Sequence, residues 1–350
     1  MKRKRNIIII ILSIIVIGVA IWAIPVYRVI YTPNVKIDTG THKKFFYIRT
    51  GSTFNDVIEN FGREHILKDT SGFRWLAGRM KYTGLVKPGK YQLKDGMSNL
   101  ILIKMLRLGQ QTPVDINTNR ARFKEDIASV AGRNLEADSA AIMKLLNNKD
   151  YIDSLGFNQE NIMSLFMANT YRFQWNTSAD GFLKRLKTEW DKVWAGERMD
   201  EATQMGYTPA QIITLASIVQ EETAHKDEAP TIAGVYLNRL RIGMPLQSDP
   251  TVKYAKLREN RSAVIQRIYF KDLESTSSYN TYKLKGLPPG PVIVPELWAI
   301  DAVLNADKND YLYFVAKGDG SGYSHFSKTG AEHEEYSKKY HKALNDQNIH

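Results

Sequence analysis

The sequence predicts an α+β protein with one apolar N-terminal helix, a small mixed module and a larger, mainly helical domain that carries a small β element. Three observations predict this fold class: an uncharged apolar run near the start, a mixture of strand-like and helix-like segments after it, and helical periodicity over most of the rest. The 350 residues also exceed the roughly 150 typical of one domain. We predict boundaries at residues 1–28, 29–44, 45–112 and 113–350.

The apolar run, Ile7 to Ile24, predicts a membrane anchor. It holds 18 residues without a charge, which at about 1.5 Å per residue nearly spans a hydrocarbon core. Trp22 and Tyr27 lie where interfacial aromatic residues are expected. The basic segment 2–5 precedes the run, so residues 1–28 are predicted to form a cytoplasmic tip and a single-pass anchor, with the body outside the cytoplasm.

A cleaved signal peptide is the alternative interpretation of this segment. Gly18-Val19-Ala20 has the small-x-small pattern of a cleavage site. The triplet lies inside the apolar run, however, and bulky Ile21 and Trp22 follow it. We therefore expect a retained anchor, followed by a polar juxtamembrane linker at residues 29–44.

Composition excludes several classes of protein. The hydrophobic share of 43% and the charged share of 24% are ordinary for globular domains, which argues against disorder and collagen. With no cysteine, the chain has no disulfide scaffold, thiolate zinc site or cysteine nucleophile. Its seven histidines form no HExxH pair, so a zinc hydrolase is not expected. The net charge of +11 suits an anionic polymer or a membrane, or simply a basic surface; no nucleic-acid partner is expected.

The small module at 45–112 combines strand and helix signals. Phe45–Ile48 is strand-like, and Ser52–Phe61 has helical spacing. Lys87–Leu93 predicts a turn that leads into a second strand. Ser98 is predicted to cap a further helix that Gly109 ends.

The larger domain, 113–350, is predicted to be mostly helical. Helical periodicity covers 137–146, 179–194, 209–224, 228–243 and 332–344, whereas 247–290 has a loop-rich pattern. Tyr311–Ala316 is a dense apolar strand. A Gly-rich turn then leads to a predicted partner strand through His325 and Phe326.

The helix at 209–224 carries the most informative residues. Thr208 as N-cap, Pro209 and Gln211 form a strong helix start. At about 100° per residue, Glu222 falls in the apolar sector and Glu221 among polar residues. We therefore expect a solvated Glu221 and a partly desolvated Glu222 with a raised pKa, which could donate a proton near neutral pH. The alternative is that Glu222 merely pairs with a lysine or arginine.

Two polar segments follow this helix. Leu246–Thr251 contains Ser248 and Asp249 and is either a functional loop or ordinary turn and N-cap chemistry. Tyr279 and Asn280 precede a rigid Gly/Pro loop at 286–291. A tyrosine ring can stack on a sugar and an amide can grip its hydroxyl or acetamido groups, although a surface turn explains the same residues.

Together these motifs resemble a known family. The chain is similar to the endolytic murein transglycosylases (YceG-like) in "LASIVQEET", "YLNRLRIGMPLQSDPT", "YNTY", "GLPPGPV" and "YLYFVA". The resemblance implies a LysM-like module around "KPGKYQL" and a lysozyme-like catalytic domain. The order Glu222-Thr223, Gln247, Tyr279-Asn280 also resembles the wider lytic transglycosylases. Two departures are Gln220, where many relatives carry a glutamate, and Ala168-Asn169, where relatives often show a proline before Asp or Asn.

The resemblance implies a function and a site. The expected substrate is peptidoglycan, cut within nascent strands between N-acetylmuramic acid and N-acetylglucosamine to leave 1,6-anhydro ends, which limits strand length. Glu222 is the implied catalytic acid and base, and the implied mechanism requires no metal or cofactor. The implied substrate-binding residues are Thr223, Gln247, Ser248, Asp249, Tyr279 and Asn280. The expected location is the cell (inner) membrane, with peptidoglycan synthases (penicillin-binding proteins) as candidate partners.

Two rival functions stay open from the sequence. A peptidoglycan hydrolase (muramidase) would need a second carboxylate to handle water, and Asp249 is the best candidate. A non-catalytic, membrane-anchored wall-binding protein would use the LysM-like module alone.

Overall fold

The computed structural model describes residues 2–37, 40 and 43–346. The chain divides into two compact units. The first contains residues 1–114 together with 134–136 and 172–177, and the second contains 115–133, 137–171 and 178–350. The expected mixture of helices with small sheets is confirmed.

The apolar N-terminal run forms one long helix, α1 (Lys2–Tyr31). Residues 5–31 have a mean hydropathy of 3.3, so this helix is long and apolar enough to cross a membrane. Its side chains are exposed along the apolar run, and Trp22 reaches 70% exposure. Such a surface is unfavourable in water, because a helix that is apolar all round is normally buried in protein or lipid.

The segment predicted as a linker, 29–44, is built into the first unit where the structure describes it. Residues 29–31 continue α1, and the Asn99 side chain donates a hydrogen bond of 2.8 Å to the Val29 carbonyl. Val35 and Ile37 are buried in the core of this unit. Residues 38, 39, 41 and 42 of the predicted linker lie outside the described residues.

The rest of the first unit is a strand-helix-helix-strand module followed by a third helix. Its elements are β1 (Lys43–Ile48), α2 (Phe54–Arg63), α3 (Thr70–Arg79), β2 (Gly89–Lys94) and α4 (Asn99–Leu108). Strands β1 and β2 pair antiparallel, with Phe46 opposite Tyr91. Phe46, Phe61 and Phe73 form an aromatic core. The predicted ends of α4 are confirmed, since Ser98 caps it and Gly109 closes it in the left-handed conformation.

Short elements precede the helical core of the second unit. They are β3 (Val114–Asn117), α5 (Lys124–Asn134), α6 (Ser139–Leu146), α7 (Lys149–Ser154), a 3₁₀ turn (Ile162–Leu165), β4 (Thr170–Phe173), α8 (Ala179–Val193) and α9 (Glu197–Gln204). Predicted helices at 137–146 and 179–194 are confirmed to within two residues.

Four further helices form the core of the second unit: α10 (Pro209–Glu222), α11 (Ala229–Arg241), α12 (Asp249–Glu259) and α13 (Leu297–Leu304). Helix α12 corrects the loop-rich prediction for 247–290. Pro250 lies in its first turn, where a missing N–H costs nothing, and its buried residues are not confined to one stripe. Only a 3₁₀ turn (Phe270–Glu274) interrupts the loops between α12 and α13 in this described region.

The C-terminal part is a hairpin followed by a helix. Strands β5 (Tyr313–Ala316) and β6 (Ser324–Ser327) pair antiparallel, with Phe314 opposite Phe326, as predicted. Helix α14 (Gly330–Asp346) follows and packs on the hairpin.

Candidate active site

Glu222 occupies the last position of α10, a helix in the core of the second unit. The predicted capping box is present, because the Thr208 hydroxyl accepts from the Gln211 amide while the Gln211 side chain accepts from the Thr208 amide. All residues from 212 to 219 are buried, which fixes the helix from every side. The packing of α10 therefore fixes the position of the Glu222 backbone at the end of the helix.

Two hydroxyl groups hold the Glu222 carboxyl. The Tyr236 hydroxyl of α11 donates to Glu222 Oε1 at 2.5 Å, and the Ser248 hydroxyl donates to the same oxygen at 2.6 Å. Within the described part of the chain, Oε2 receives no hydrogen bond. The geometry therefore makes Oε1 the acceptor and leaves Oε2 as the oxygen that can carry and transfer a proton.

The pKa of Glu222 is raised, as the helical wheel predicted. Burial is the largest cause, because it disfavours the charged carboxylate. The hydrogen bonds from Ser248 and Tyr236 oppose this shift, the negative charge of Asp249 adds to it, and Arg239 weakens it. The alternative that Glu222 pairs with a lysine or arginine is not what the structure shows, since its hydrogen-bond donors are two neutral hydroxyls.

The prediction of a solvated Glu221 is wrong. Its carboxylate forms an ion pair of 2.6 Å with Arg122, and both side chains are largely buried. Arg122 also donates to the Val292 carbonyl at 3.2 Å. The partner lies 99 residues earlier, so no pattern local to the helix reveals it.

Glu222 opens into a cleft of about 390 Å³. Besides Glu222, the cleft is lined by Tyr236, Arg239, Gln247, Asp249, Tyr282, Tyr313, Phe314 and His333. Polar donors and acceptors thus converge beside aromatic faces, as a carbohydrate site requires.

Gln247 enters the cleft from a strained backbone. Its φ of 51° lies in the left-handed region, which a non-glycine residue adopts at a cost of about 1–3 kcal/mol. The Gln247 amide donates to the Thr281 carbonyl at 2.9 Å, which holds this conformation while the side chain stays exposed. Gln247, which the sequence predicts as a substrate contact, lines the same cleft as Glu222.

Ser248 is the N-cap residue of α12 and Asp249 is its first residue, and their side chains have different partners. Ser248 is 1% exposed, and its hydroxyl bonds Glu222 rather than substrate. Asp249 is exposed in the cleft and accepts a hydrogen bond of 2.6 Å from the Tyr282 hydroxyl. Ser248 therefore supports the Glu222 carboxyl, and its contact with substrate stays a prediction, whereas Asp249 lines the cleft.

Tyr279, Asn280 and Thr223 do not line the cleft. Asn280 is 0% exposed, and its amide donates to the carbonyls of Leu273 and Ser275, so it shapes its own loop. Thr223 ends α10 in an extended conformation and its hydroxyl accepts from the His225 amide. Tyr279 lies in a second pocket described below. These three residues are therefore not part of the cleft lining, and their direct contact with substrate stays a prediction.

Six of the cleft residues were not predicted as site residues from the sequence: Tyr236, Arg239, Tyr282, Tyr313, Phe314 and His333. Tyr236 and Arg239 are three residues apart on α11 and therefore share a face, which is the signal that could have found them. Arg239 is 6% exposed and donates to the carbonyls of Leu246 and Leu312, so it ties α11 to the loop before α12 and to the hairpin. Burial lowers the pKa of Arg239. His333 comes from the distant helix α14.

No cluster of three or more His, Asp or Glu side chains suited to a metal ion occurs among residues 2–37, 40 and 43–346.

The fold and the site define an enzyme class. A desolvated carboxylic acid with one free oxygen, in a cleft of sugar-binding character, is the arrangement of a general acid that cleaves glycosidic bonds. The chain belongs to the YceG-like family, whose model matches residues 46–339.

Similar proteins agree with this assignment. The chain is 31% identical over 322 residues to the endolytic murein transglycosylase of Bacillus subtilis, covering 85% of each protein. It is 29% identical over 319 residues to the enzyme of the same name from Streptococcus pneumoniae D39, of which the match spans 57%. A solved structure of a Listeria monocytogenes protein described as YceG-like aligns over 85% of this chain and 99% of its own, with a TM-score of 0.54 and 26% identity.

Proposed function

We propose that this protein is an endolytic murein transglycosylase. It cleaves the β-1,4 bond between N-acetylmuramic acid and N-acetylglucosamine in peptidoglycan strands and leaves 1,6-anhydro ends. The observation that carries the proposal is the Glu222 carboxyl, which is desolvated, held through Oε1 by two hydroxyls, and part of the cleft lining. The names of the relatives support the same activity.

The first step is proton donation. Glu222 Oε2 gives its proton to the glycosidic oxygen as the bond from that oxygen to C1 of the muramic residue breaks. The acetamido oxygen of the same residue shares the positive charge at C1, so no second carboxylate has to form a covalent bond. The hydroxyls of Tyr236 and Ser248 stabilise the carboxylate that Glu222 becomes.

The second step returns the proton. The Glu222 carboxylate takes the proton from the C6 hydroxyl of the muramic residue, and this oxygen closes on C1. The ring closure yields the 1,6-anhydro product without water and restores the acid. A raised pKa suits both steps, because the same group must donate and then accept near neutral pH.

Different cleft residues contact different parts of the substrate. Gln247 and the Asp249–Tyr282 pair present polar atoms to the sugar hydroxyl and acetamido groups. Tyr313 offers a ring face, which Arg239 braces with its guanidinium 5.4 Å from the ring centre. Asn280 and Thr223 act as positioning residues through the loops they order.

The test uses the full-length protein in detergent and un-cross-linked glycan strands. Wild type should shorten the strands internally, so that intermediate lengths appear first. Glu222→Gln should bind strands without cutting them, because the amide keeps the acceptor oxygen for Tyr236 and Ser248 but has no acidic proton. Cleavage by a folded Glu222→Gln variant would refute the site.

A hydrolase is the second candidate, and one observation favours it. Asp249 lies in the same cleft as Glu222 and is exposed, so a water molecule could reach it. Hydrolysis would leave ordinary reducing ends instead of anhydro ends. A wall-binding protein without activity would bind strands and leave them uncut in both variants.

The membrane and wall interactions complete the proposal. Helix α1 anchors the chain in the cell (inner) membrane, with the basic residues 2–5 in the cytoplasm. The strand-helix-helix-strand order of the first unit supports a LysM-like module. Peptidoglycan synthases are the proposed neighbours, since nascent strands emerge beside them. N-terminal sequencing of the membrane fraction tests retention of the anchor: a start after Ala20 or Ala23 would show cleavage.

A further inference from the structure

A second pocket of about 450 Å³ lies in the same unit and shares no lining residue with the Glu222 cleft. It is lined by Phe123, Lys124, Glu125, Gln159, Glu160, Ile162, Met163, Tyr254, Arg258, Arg261, Ser278, Tyr279 and Pro289. Tyr279, the tyrosine of the "YNTY" motif, lies here. Tyr279 therefore has no direct role in the proposed cleavage reaction at Glu222.

Aromatic rings form one wall of the pocket. Phe123 stacks on Tyr254 with ring centres 5.1 Å apart, and Tyr254 lies 4.6 Å from Tyr279. All three side chains are largely buried, so the wall is rigid. It can pack against the aliphatic part of a ligand.

Two opposite charges face this wall without a partner. Arg258 places its guanidinium 5.0 Å from the Tyr279 ring centre, and Glu160 lies on the loop before the 3₁₀ turn. Both side chains are exposed, and neither forms an ion pair or a side-chain hydrogen bond among the residues described. Arg258 and Glu160 act oppositely on the Tyr279 hydroxyl, whose pKa is raised chiefly by burial, so both charges lie near that ring.

The other charges of the pocket are already engaged. Arg261 pairs with Glu125 at 2.7 Å and lies 4.1 Å from the Phe123 ring centre. The Lys124 ammonium donates to the Asn147 side chain. Among the described residues that line the pocket, Arg258 and Glu160 are thus the cation and the anion without an ion pair or a side-chain hydrogen bond.

The Gly/Pro loop at residues 286–291 packs closely against both Tyr279 and the loop that carries Glu160. A Cβ atom at Gly290 would lie 2.4 Å from the Glu160 carbonyl oxygen and 3.2 Å from the Tyr279 hydroxyl. Only glycine permits this approach, so the "GLPPGPV" motif fixes the loop of Glu160 against Tyr279.

We infer that this pocket binds a zwitterionic amino-acid group, with its carboxylate on Arg258, its ammonium on Glu160 and its aliphatic stem on Tyr279. Murein of the diaminopimelate type carries such a group: the diamino acid of an un-cross-linked stem peptide ends in an ammonium and a carboxylate on one carbon. The inference rests on the proposed function for its substrate class. Cross-linking consumes the ammonium, so the pocket would favour strands whose peptides are still free.

The test measures peptide binding by calorimetry on full-length Glu222→Gln protein in detergent. The probe is N-acetyl-L-Ala-γ-D-Glu-diaminopimelate. Two derivatives carry either an acetyl group on the side-chain amine or an amide on the side-chain carboxyl. Loss of a charged hydrogen bond weakens binding by about tenfold or more. Each derivative, and each of Arg258→Gln and Glu160→Gln, should therefore bind at least tenfold more weakly than the parent pair.

Matched controls separate the two contacts. Arg267→Gln and Glu259→Gln change exposed charges that do not line the pocket, and they should bind as the parent does. Glu160→Gln should not weaken the acetylated peptide further, and Arg258→Gln should not weaken the amidated one further. Equal binding of the parent peptide to Arg258→Gln and parent protein, or no binding at all, would overturn the inference.

Cleavage assays distinguish this inference from the proposed function. With wild-type Glu222, the Arg258→Gln substitution should lower kcat/KM on strands with stem peptides and leave it unchanged on strands stripped of peptides by an amidase. An inactive wild type would refute the proposed function, whereas the peptide titration would still decide the pocket.

Discussion

Removing the Tyr236 hydroxyl should move the pH dependence of cleavage. This hydroxyl donates at 2.5 Å to Glu222 Oε1, alongside Ser248 at 2.6 Å. A hydrogen bond to a charged group contributes about 1.5–3 kcal/mol and one to a neutral group about 0.5–1.5 kcal/mol. The difference, about 1–1.5 kcal/mol, is close to one pKa unit. Tyr236→Phe should therefore raise the pKa of Glu222 further, by about one unit.

The direction of the effect on activity follows from the role of Glu222. Cleavage requires its protonated form, so activity falls as pH rises through the Glu222 pKa. The basic limb of kcat/KM should move about one unit toward higher pH in both Tyr236→Phe and Ser248→Ala. The rate at the optimum should fall roughly tenfold, because the carboxylate left after proton donation loses one donor.

Initial rates on un-cross-linked strands between pH 4 and 9 give the profile. Tyr171→Phe is the matched control, since it removes a buried hydroxyl that donates to the Met167 carbonyl away from the cleft. It should leave the limb in place. An unchanged basic limb in both Tyr236→Phe and Ser248→Ala would refute the assignment of these hydroxyls to the catalytic carboxyl.

Three further outcomes are expected. Asp249→Asn should still form anhydro ends, which mass spectrometry detects. The basic limb of its pH–rate profile should move to lower pH, because the Asp249 charge helps to raise the pKa of Glu222. Glu222→Gln should raise Tm at pH 8 more than at pH 4. The native state holds the Glu222 proton more tightly, so stability falls above the unfolded pKa of about 4.5 until the folded pKa is passed, at about 1.4 kcal/mol per unit. Gly290→Ala should destabilise the protein by about 1–3 kcal/mol, measured by thermal unfolding.

Each of these has a control or a contrary result. Reducing ends from wild type that vanish in Asp249→Asn would favour the hydrolase. An equal Tm change at pH 4 and pH 8 for Glu222→Gln would mean that the carboxyl is not desolvated. Gly62→Ala, in an exposed turn of α2 with open space around it, should stabilise by about 0.5–1 kcal/mol. A similar loss from both glycines would remove the steric argument for Gly290.

Features encoded within one segment could be predicted from the sequence. The cap at Thr208 and the wheel position of Glu222 depend only on residues of α10, and both are confirmed. The hairpin of β5 and β6 follows from an apolar strand, a glycine turn and a second strand. Local chemistry decides these features, so a local pattern reveals them.

Features that depend on distant partners could not be predicted. The hydroxyls that hold Glu222 come from α11 and from the start of α12, 14 and 26 residues later. Glu221 pairs with Arg122 from a much earlier segment. The Asn280 amide is chemically suited both to a sugar and to a backbone carbonyl. In the structure it donates to two carbonyls of its own loop.

Helix α12 shows a different limit. Its buried residues include Pro250, Thr251, Val252, Tyr254 and Ala255, which lie on several sides of the helix. A helix packed on several sides has no single apolar stripe, so the periodicity that identifies surface helices is absent. Pro250 is compatible with the first turn of a helix, but a proline without an apolar stripe after it is equally compatible with a simple turn.

The measurement that tests the central claim most directly is cleavage in ¹⁸O-labelled water. In the proposed mechanism Glu222 donates a proton and then takes one from the C6 hydroxyl, so that water does not enter the product. Wild-type protein should give ends one water lighter than hydrolysis products and free of ¹⁸O, and Glu222→Gln should give none. Incorporation of ¹⁸O at the new end would contradict the account.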